Sequence, residues 1–450
     1  MARAVDTLNI FRDIIQLNPI KSVLPIATSA VREANNRNEF LSMVSKKSGF
    51  NFKVLSEREE AIYSYIGAIK SLHIPDALFF DIGGGSLEIV YAERFKIKKV
   101  ISLPLGALRL TQQFDGKNGK FNDKNFKNLN RYIWDLLPSK KDLSLNPDTK
   151  LVGVGGVLRA LARYEQRISR YPLDKIHNYK INSKSLEYAV NGLFSMKSND
   201  LSKISVIGPN RAETVVAGSC VISTIMTKYG FSNLHVSSHG LREGALSIFL
   251  EDPKTYSDGC LTIEQIQKTI GLEEHKTIQK KENFMHNLFS LKLISKRELM
   301  LLNYAEKILS EKSSFSNPQS VFYSIMDQDM PFGHDDQLVL GLSLVNARHA
   351  KTSDWLFSRY RTILSQQDRT SIKKISILVI LRKILERTKS RVELKLHGAQ
   401  IMEIILMQPK TVQKFLLKET LRKFEIAFDI KVILSIRPYP GKSQNTMLEL

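Results

Sequence analysis

Over the first 250 residues the apolar positions switch repeatedly between a helical and a strand-like period. Val5, Leu8, Ile10, Phe11, Ile14 and Ile15 recur at helical spacing within Ala2–Asn18. A strand follows over Ser22–Thr28, a helix over Asn35–Ser48 and a short strand over Phe52–Leu55. Ser56 with Glu59 three residues on has the spacing of a capping box and starts the next helix. The segment Ala77–Asp81 reads as a buried strand ending at three glycines, with further strands at Leu87–Ala92 and Lys96–Leu103. Helices are expected around Ala107–Phe114 and Asn122–Leu136. A strand at Leu151–Val154 then runs into Gly155-Gly156 and a helix over Val157–Glu165. A long helix at Arg211–Tyr229 and a strand at Leu234–Ser237 close the pattern, which predicts an α/β architecture.

Beyond the turn-rich stretch Asp252–Gly259 the pattern changes to amphipathic helices, with short strands only at Val392–Leu396 and Phe428–Ile436. Three regions result: 1–75, 76–254 and a mainly helical 255–450. The first reads α-β-α-β-α and the second β-β-β-α-β-α-β. If they repeat one unit, the first lacks its three opening strands.

Composition narrows the classes. With 43% hydrophobic and 25% charged residues, the chain can bury a core, which argues against wholesale disorder. Its two cysteines, Cys220 and Cys260, make no disulfide framework, and no Cys/His cluster has zinc spacing. The longest apolar run, Ile375–Leu381, is far shorter than the ~18 residues of a membrane span. The first residues lack the apolar core of a signal peptide, so a soluble, cytoplasmic setting is expected. Against 45 acidic residues stand 66 Lys and Arg, a net charge of +21. Residues 351–440 carry about half of the excess, including Lys373, Lys374, Arg382, Lys383 and Arg387. Such a balance predicts a polyanionic partner. No zinc finger, recognition helix or aromatic platform accompanies it, which places nucleic acid second.

The strongest chemical signal is Asp81-Ile82-Gly83-Gly84-Gly85-Ser86-Leu87-Glu88. A strand delivers Asp81 to a turn whose glycines let backbone N–H groups approach a phosphate, and Ser86 can donate to the same oxygens. Glu88 returns on the next strand, so the two carboxylates can share a hard cation such as Mg²⁺. Gly153-Val154-Gly155-Gly156 is a second glycine turn between strand and helix. Thr28, Ser29 and Arg32 offer hydroxyls and a guanidinium suited to phosphate oxygens. Glu59 and Glu60 open a helix, where an acid either complements the dipole or, aimed into a cleft, activates water. Arg242 follows a further glycine turn at Gly240. His239 beside it reads as structural.

In combination these blocks resemble the Ppx/GppA phosphatase family of exopolyphosphatases and guanosine pentaphosphate phosphohydrolases. They are IATSAVREANN at 26–36, VLSEREEAIYSYIGA at 54–68, FFDIGGGSLEIV at 79–90, SLPLGALRLT at 102–111, LVGVGGVLRALA at 151–162, NRAETVVAGSCVI at 210–222 and VSSHGLREGAL at 236–246. The resemblance covers residues 1–250. It implies a two-domain fold of the actin/sugar kinase/heat-shock ATPase class and, more weakly, a helical HD-like C-terminal domain. By it, Glu60 matches the carboxylate that activates the attacking water, and Asp81 and Glu88 match the acids around Mg²⁺. Gly83, Gly84, Gly85 and Ser86 match one phosphate loop and Gly153, Gly155 and Gly156 another, with Arg32 near the phosphate chain. Arg242 lies in the family's GLREG block. Exopolyphosphatase activity is the implied function, with guanosine pentaphosphate hydrolysis or non-catalytic binding of polyphosphate or an alarmone as alternatives.

Two departures shape the expectations. The family's opening strand and D-x-G-S-N-S loop have no counterpart before the IATSAVREANN block, so the first domain is expected to be truncated and the chain to fold poorly with little activity. In the helical region, Asn303-Tyr304-Ala305-Glu306-Lys307 stands where HD-like relatives carry metal ligands. His334-Asp335 reads as a coincidence in a loop over Pro331–Asp336. This region is therefore expected to bind a polyanion or mediate homodimerisation rather than hold a second metal.

Overall fold

Strands formed from residues 77–236 build a sheet with helices on both faces. The computed structural model describes residues 1–114, 121–253, 256, 262–270, 284–311, 317–398, 400–407, 414–437 and 446–447. The chain divides into two compact units, Met1–Glu274 and His275–Leu450. Most of the linker expected over Asp252–Gly259 lies outside the described residues.

The first unit opens with α1 (Ala2–Gln16), β1 (Ile26–Ala27), α2 (Ser29–Arg32), α3 (Arg37–Ser48) and β2 (Lys53–Val54). The two short strands pair in parallel. Helix α1 turns Ile10, Phe11 and Ile14 to solvent, and Leu17 just beyond it is exposed too. Next comes α4 (Glu57–Leu72), begun by the expected capping box: Glu59 N donates to Ser56 Oγ at 3.2 Å and Ser56 N to Glu59 Oε2 at 2.9 Å. Every residue of α4 from Ala61 to Ile69 is buried.

The sheet proper begins with β3 (Ala77–Ile82), β4 (Leu87–Glu93) and β5 (Lys96–Leu103), followed by α5 (Ala107–Phe114), α6 (Asp123–Leu136) and α7 (Lys140–Leu143). It continues through β6 (Lys150–Val154), α8 (Gly156–Ile168), β7 (Tyr179–Asn182), α9 (Ser183–Ser195), α10 (Ser198–Lys203), α11 (Val215–Tyr229) and β8 (Asn233–Val236). Helices α12 (Leu241–Glu251) and α13 (Ile263–Ile270) complete the unit. The strand order is β5-β4-β3-β6-β8-β7, with β3, β6 and β8 parallel and β4, β5 and β7 antiparallel to their neighbours. Strand β7 and the helix after it are additions to the sequence reading, and α11 starts four residues later than expected.

Strand alternation sorts the core into two layers. Leu78, Phe80, Ile82, Leu87 and Ile89 face α8 and α11, whereas Ala77, Phe79, Val90, Val152 and Val154 face α4 and α12. On the second face α4 and α12 meet backbone to backbone. A Cβ built on Gly244 would lie 1.8 Å from Tyr63 O, and one on Gly67 2.1 Å from Gly240 O.

The second unit comprises α14 (Phe284–Ser290), α15 (Lys296–Glu311), α16 (Pro318–Met326), α17 (His334–Asn346), α18 (Ala350–Arg359) and α19 (Gln366–Arg387). It ends with β9 (Arg391–His397), β10 (Ile401–Met407), α20 (Lys414–Phe428), β11 (Lys431–Arg437) and β12 (Thr446–Met447). The helical region therefore carries a four-stranded sheet, ordered β12-β11-β10-β9, one more extensive than the two short strands expected. The loop expected over Pro331–Asp336 ends earlier: His334 opens α17, and Asp335 and Asp336 occupy its first turn. Both carboxylates pair with Arg297, as does Asp368, so a helix start and a charge network account for the His-Asp dipeptide. No helix among the described residues is long and apolar enough to cross a membrane.

Candidate active site

The carboxyl ends of β3, β6 and β8 lie at one edge of the sheet, where α/β folds place their ligands. Asp81 continues the face of Phe79, and Glu88 is its direct cross-strand partner on β4. Both point to the α4 layer. There Glu60 and Ser64, one helical turn apart, face them. Ser64 Oγ donates to Asp81 Oδ2 at 2.6 Å. From the other side Arg32 Nη1 donates to Glu60 Oε2 at 2.9 Å and to Leu55 O at 2.7 Å.

The electrostatics of the pair are set by lost water. Burial pushes Asp81 up to about 6; the Ser64 hydrogen bond and the Arg159 guanidinium oppose it and Glu60 reinforces it. Glu88 is pushed up further, to about 8, again by burial, with Asp81 and Glu60 adding to the effect and Ser86 and Arg32 opposing it. Two polar atoms here are buried without a hydrogen-bond partner among the described residues, Arg32 Nη2 and Glu88 Oε1. Native interiors satisfy such groups, and their concurrence marks a place for a ligand with both anionic and cationic parts. A divalent cation fits this donor set, since Glu88 Oε1 is open and charge on either carboxylate is disfavoured until something neutralises it.

The loops are held by the protein rather than by their own turn alone. The amides of Ala107, Leu108 and Arg109 at the start of α5 donate to the carbonyls of Gly83 and Gly84. Arg109 Nε donates to Gly85 O at 2.8 Å while its Nη2 reaches Glu33 Oε2 at 2.8 Å. That guanidinium ties the loop to α2, and Glu33 in turn accepts from Ser29 Oγ at 2.6 Å. Gly83 and Gly84 are exposed with room around them, whereas a Cβ on Gly85 would meet Ser29 Oγ at 2.6 Å. Ser86 is buried, and its proximity opposes the upward shift of the Glu88 carboxyl. In the second loop Gly155 has φ +121°, which only glycine adopts readily, and Gly156 begins α8. Gly153 lies inside β6, where Phe80 and Leu158 fill the space a side chain would take. Arg242 is exposed at the start of α12.

Three contributors escaped the sequence reading. Ser64 is legible only once Glu60 is placed, because it follows by one helical turn. Arg159 sits one turn into α8, half-buried. Burial lowers its pKa, as do Arg211 and Arg242, while Asp81 and Glu243 raise it. Arg211 Nε lies 3.3 Å from where a Gly156 Cβ would be. Three guanidiniums thus converge on the start of α8, where the positive end of the helix adds to the attraction for an anion. A basic residue shortly after each glycine turn was the available signal.

The family model of the Ppx/GppA phosphatase family matches residues 1–251. The chain belongs to that family. Among curated Ppx/GppA relatives, exopolyphosphatase 2 of Mycobacterium tuberculosis is 26% identical over 55% of this chain and 81% of its own length. The bifunctional 3-dehydroquinate synthase/phosphatase of Fusobacterium nucleatum is 27% identical over 54% of this chain, which spans only 37% of that protein. A crystal structure of an exopolyphosphatase from Cytophaga hutchinsonii shares the fold, with a TM-score of 0.51 at 24% identity, over 58% of this chain and 83% of that one. The Ppx/GppA match ends where α12 ends, so it takes in Glu60, Asp81, Glu88 and both glycine loops and stops short of the second unit. The mixed α/β class expected from the sequence is thereby met, with a phosphatase-type hydrolase as the family's activity.

A pH test follows from the Asp81–Glu88 pair. A buried carboxyl at about 8, against an ordinary 4.5, keeps its proton when folded and loses it when unfolded. Its stabilising effect is therefore complete below the ordinary value and lost as pH rises through the folded one. In chelator, urea unfolding from pH 5 to 8 is expected to show a stability loss on the order of a few kcal/mol, at ~1.4 kcal/mol per pKa unit. Glu88→Gln should flatten most of that slope. A flat wild-type profile would contradict the buried pair.

Proposed function

We propose that the chain hydrolyses the terminal phosphoanhydride of inorganic polyphosphate. The observation that carries the reading is the juxtaposition of Glu60 with the orphaned Arg32 Nη2 and Glu88 Oε1 at the mouth of a glycine loop. Arg32 Nη2 and the loop amides bind the oxygens of the terminal phosphoryl group. Glu60 accepts a proton from water as its oxygen forms the new bond to phosphorus, and the bond to the bridging oxygen breaks toward the shortened chain. Arg32 holds the Glu60 carboxylate in place at 2.9 Å. Asp81 and Glu88 would hold Mg²⁺, which when bound neutralises charge on the phosphoryl oxygens. Ser64 fixes the orientation of Asp81.

The net charge of +21 and the arginines at the start of α8 favour a long polyanion over a compact nucleotide. The test is phosphate release by the full chain with Mg²⁺, from long-chain polyphosphate and from guanosine pentaphosphate in parallel. Faster release from polyphosphate is expected. Release from guanosine pentaphosphate alone would replace the substrate. Binding of both with release from neither would make the chain a binding protein.

A further inference from the structure

The second unit contains a two-lobed cavity that the proposed hydrolysis does not use. One lobe, about 640 Å³, lies among α14, α15, α19 and the turn after α17; its wall mixes polar and apolar surface and carries Glu306, Lys307, Arg348, Arg382, Lys383 and Glu386. The other, about 210 Å³, is apolar, formed by Leu309, Leu344, Ala347, Ile380, Ile384 and Leu416. Leu309, Arg348, Val379 and Lys383 line both, so the lobes adjoin.

Charge is distributed unevenly in this space. Arg382 is already engaged, paired with Glu306 and, at 2.8 Å, with Glu386. Lys307 and Lys383 belong to no ion pair among the described residues; Lys383 stands with Arg348 where the lobes adjoin, and Lys307 lines the larger one. Arg387 adds a further cation at the apolar end. Small-molecule sites are concavities of this size, with apolar walls and a few polar groups that fix orientation. The apolar lobe holds roughly seven times the ~30 Å³ of a liquid water, enough for a medium alkyl chain.

We infer that this cavity binds a small amphipathic anion, its carboxylate or phosphate at Lys307 and Lys383 and its aliphatic body in the lobe between α15, α17 and α19. Neither half of such a ligand suffices. A bare anion gains only solvent-screened contacts with lysines, and a neutral chain leaves the cations without a counter-charge.

Calorimetric titration of the full chain tests this with four probes: octyl phosphate, octanoate, octanol and inorganic phosphate. Saturable one-to-one binding of octyl phosphate and octanoate is expected, at least tenfold tighter than octanol or phosphate. Lys383→Glu alters an exposed residue outside the proposed catalytic machinery. It should weaken both anions at least tenfold. Ala347→Phe, which fills the apolar lobe, should abolish alkyl binding. Absence of saturable binding by the two anions overturns the inference. So does phosphate matching octyl phosphate, or Lys383→Glu leaving both affinities intact. Because phosphate release is read separately, failure here is distinct from failure of the polyphosphatase reading.

Discussion

Glu60→Gln is expected to lower phosphate release from long-chain polyphosphate by about 10²–10⁴-fold, the range that general-base assistance supplies. The substitution keeps the shape of the side chain and an oxygen for Arg32 Nη1, so the loss should appear in kcat with KM little changed. Glu60 is largely buried at the start of α4, its side chain 14% exposed; removing its charge weakens the Arg32 pair but relieves repulsion with Asp81 and Glu88, so the variant should melt near the wild-type temperature. Glu59→Gln is the matched control. Glu59 caps Ser56 and pairs with Lys53 at 3.3 Å, so its loss should cost stability and spare turnover. Retention of more than a tenth of the rate in Glu60→Gln would remove Glu60 as the base.

Gly244→Ala should be the most damaging small substitution in the first unit. Its Cβ would lie 1.8 Å from Tyr63 O and 3.1 Å from Gly67 N, both backbone atoms that no rotamer change can move. Helices α4 and α12 would have to part. A penalty of about 3 kcal/mol, at the upper end of overpacking, corresponds to a fall in Tm of about 6–12 °C for a unit of this size. Gly84→Ala, with nothing nearer its Cβ than 3.8 Å, should leave the melt unchanged. Equal melts for the two variants would show that the helices slide apart at no cost.

Much of the site is legible where chemistry and local structure coincide. The hairpin that opposes Asp81 to Glu88 follows from strand–glycine–strand order, and the Ser56–Glu59 cap follows from spacing alone. Arg159 and Arg211 were not legible, because their convergence depends on how α8 meets the turn before α11. Ser64 reads as one more small residue in a buried helix. Strand β10, IMEIILM, is apolar but for Glu403, and periodicity cannot tell a buried strand of that kind from a helix. Strand β7 has only four residues, too few to show a period. Pro331 and Gly333 read as turn residues that place His334 in a loop, yet Gly333 is the N-cap residue of α17.

The glycine contact between α4 and α12 also bears on sequence of events. Glu60 and Ser64 ride on a helix pressed by bare backbone against its neighbour and laid over the strands that carry Asp81 and Glu88. Arg32 rides on a four-residue helix, linked to the glycine loop through the exposed Glu33–Arg109 pair. On the proposed reading, the cation's ligands stay assembled whether or not α2 is in place, and only the grip on the phosphate chain depends on it. On that reading the ion can load before the polymer, and raised salt is expected to loosen the polymer's grip more than the ion's.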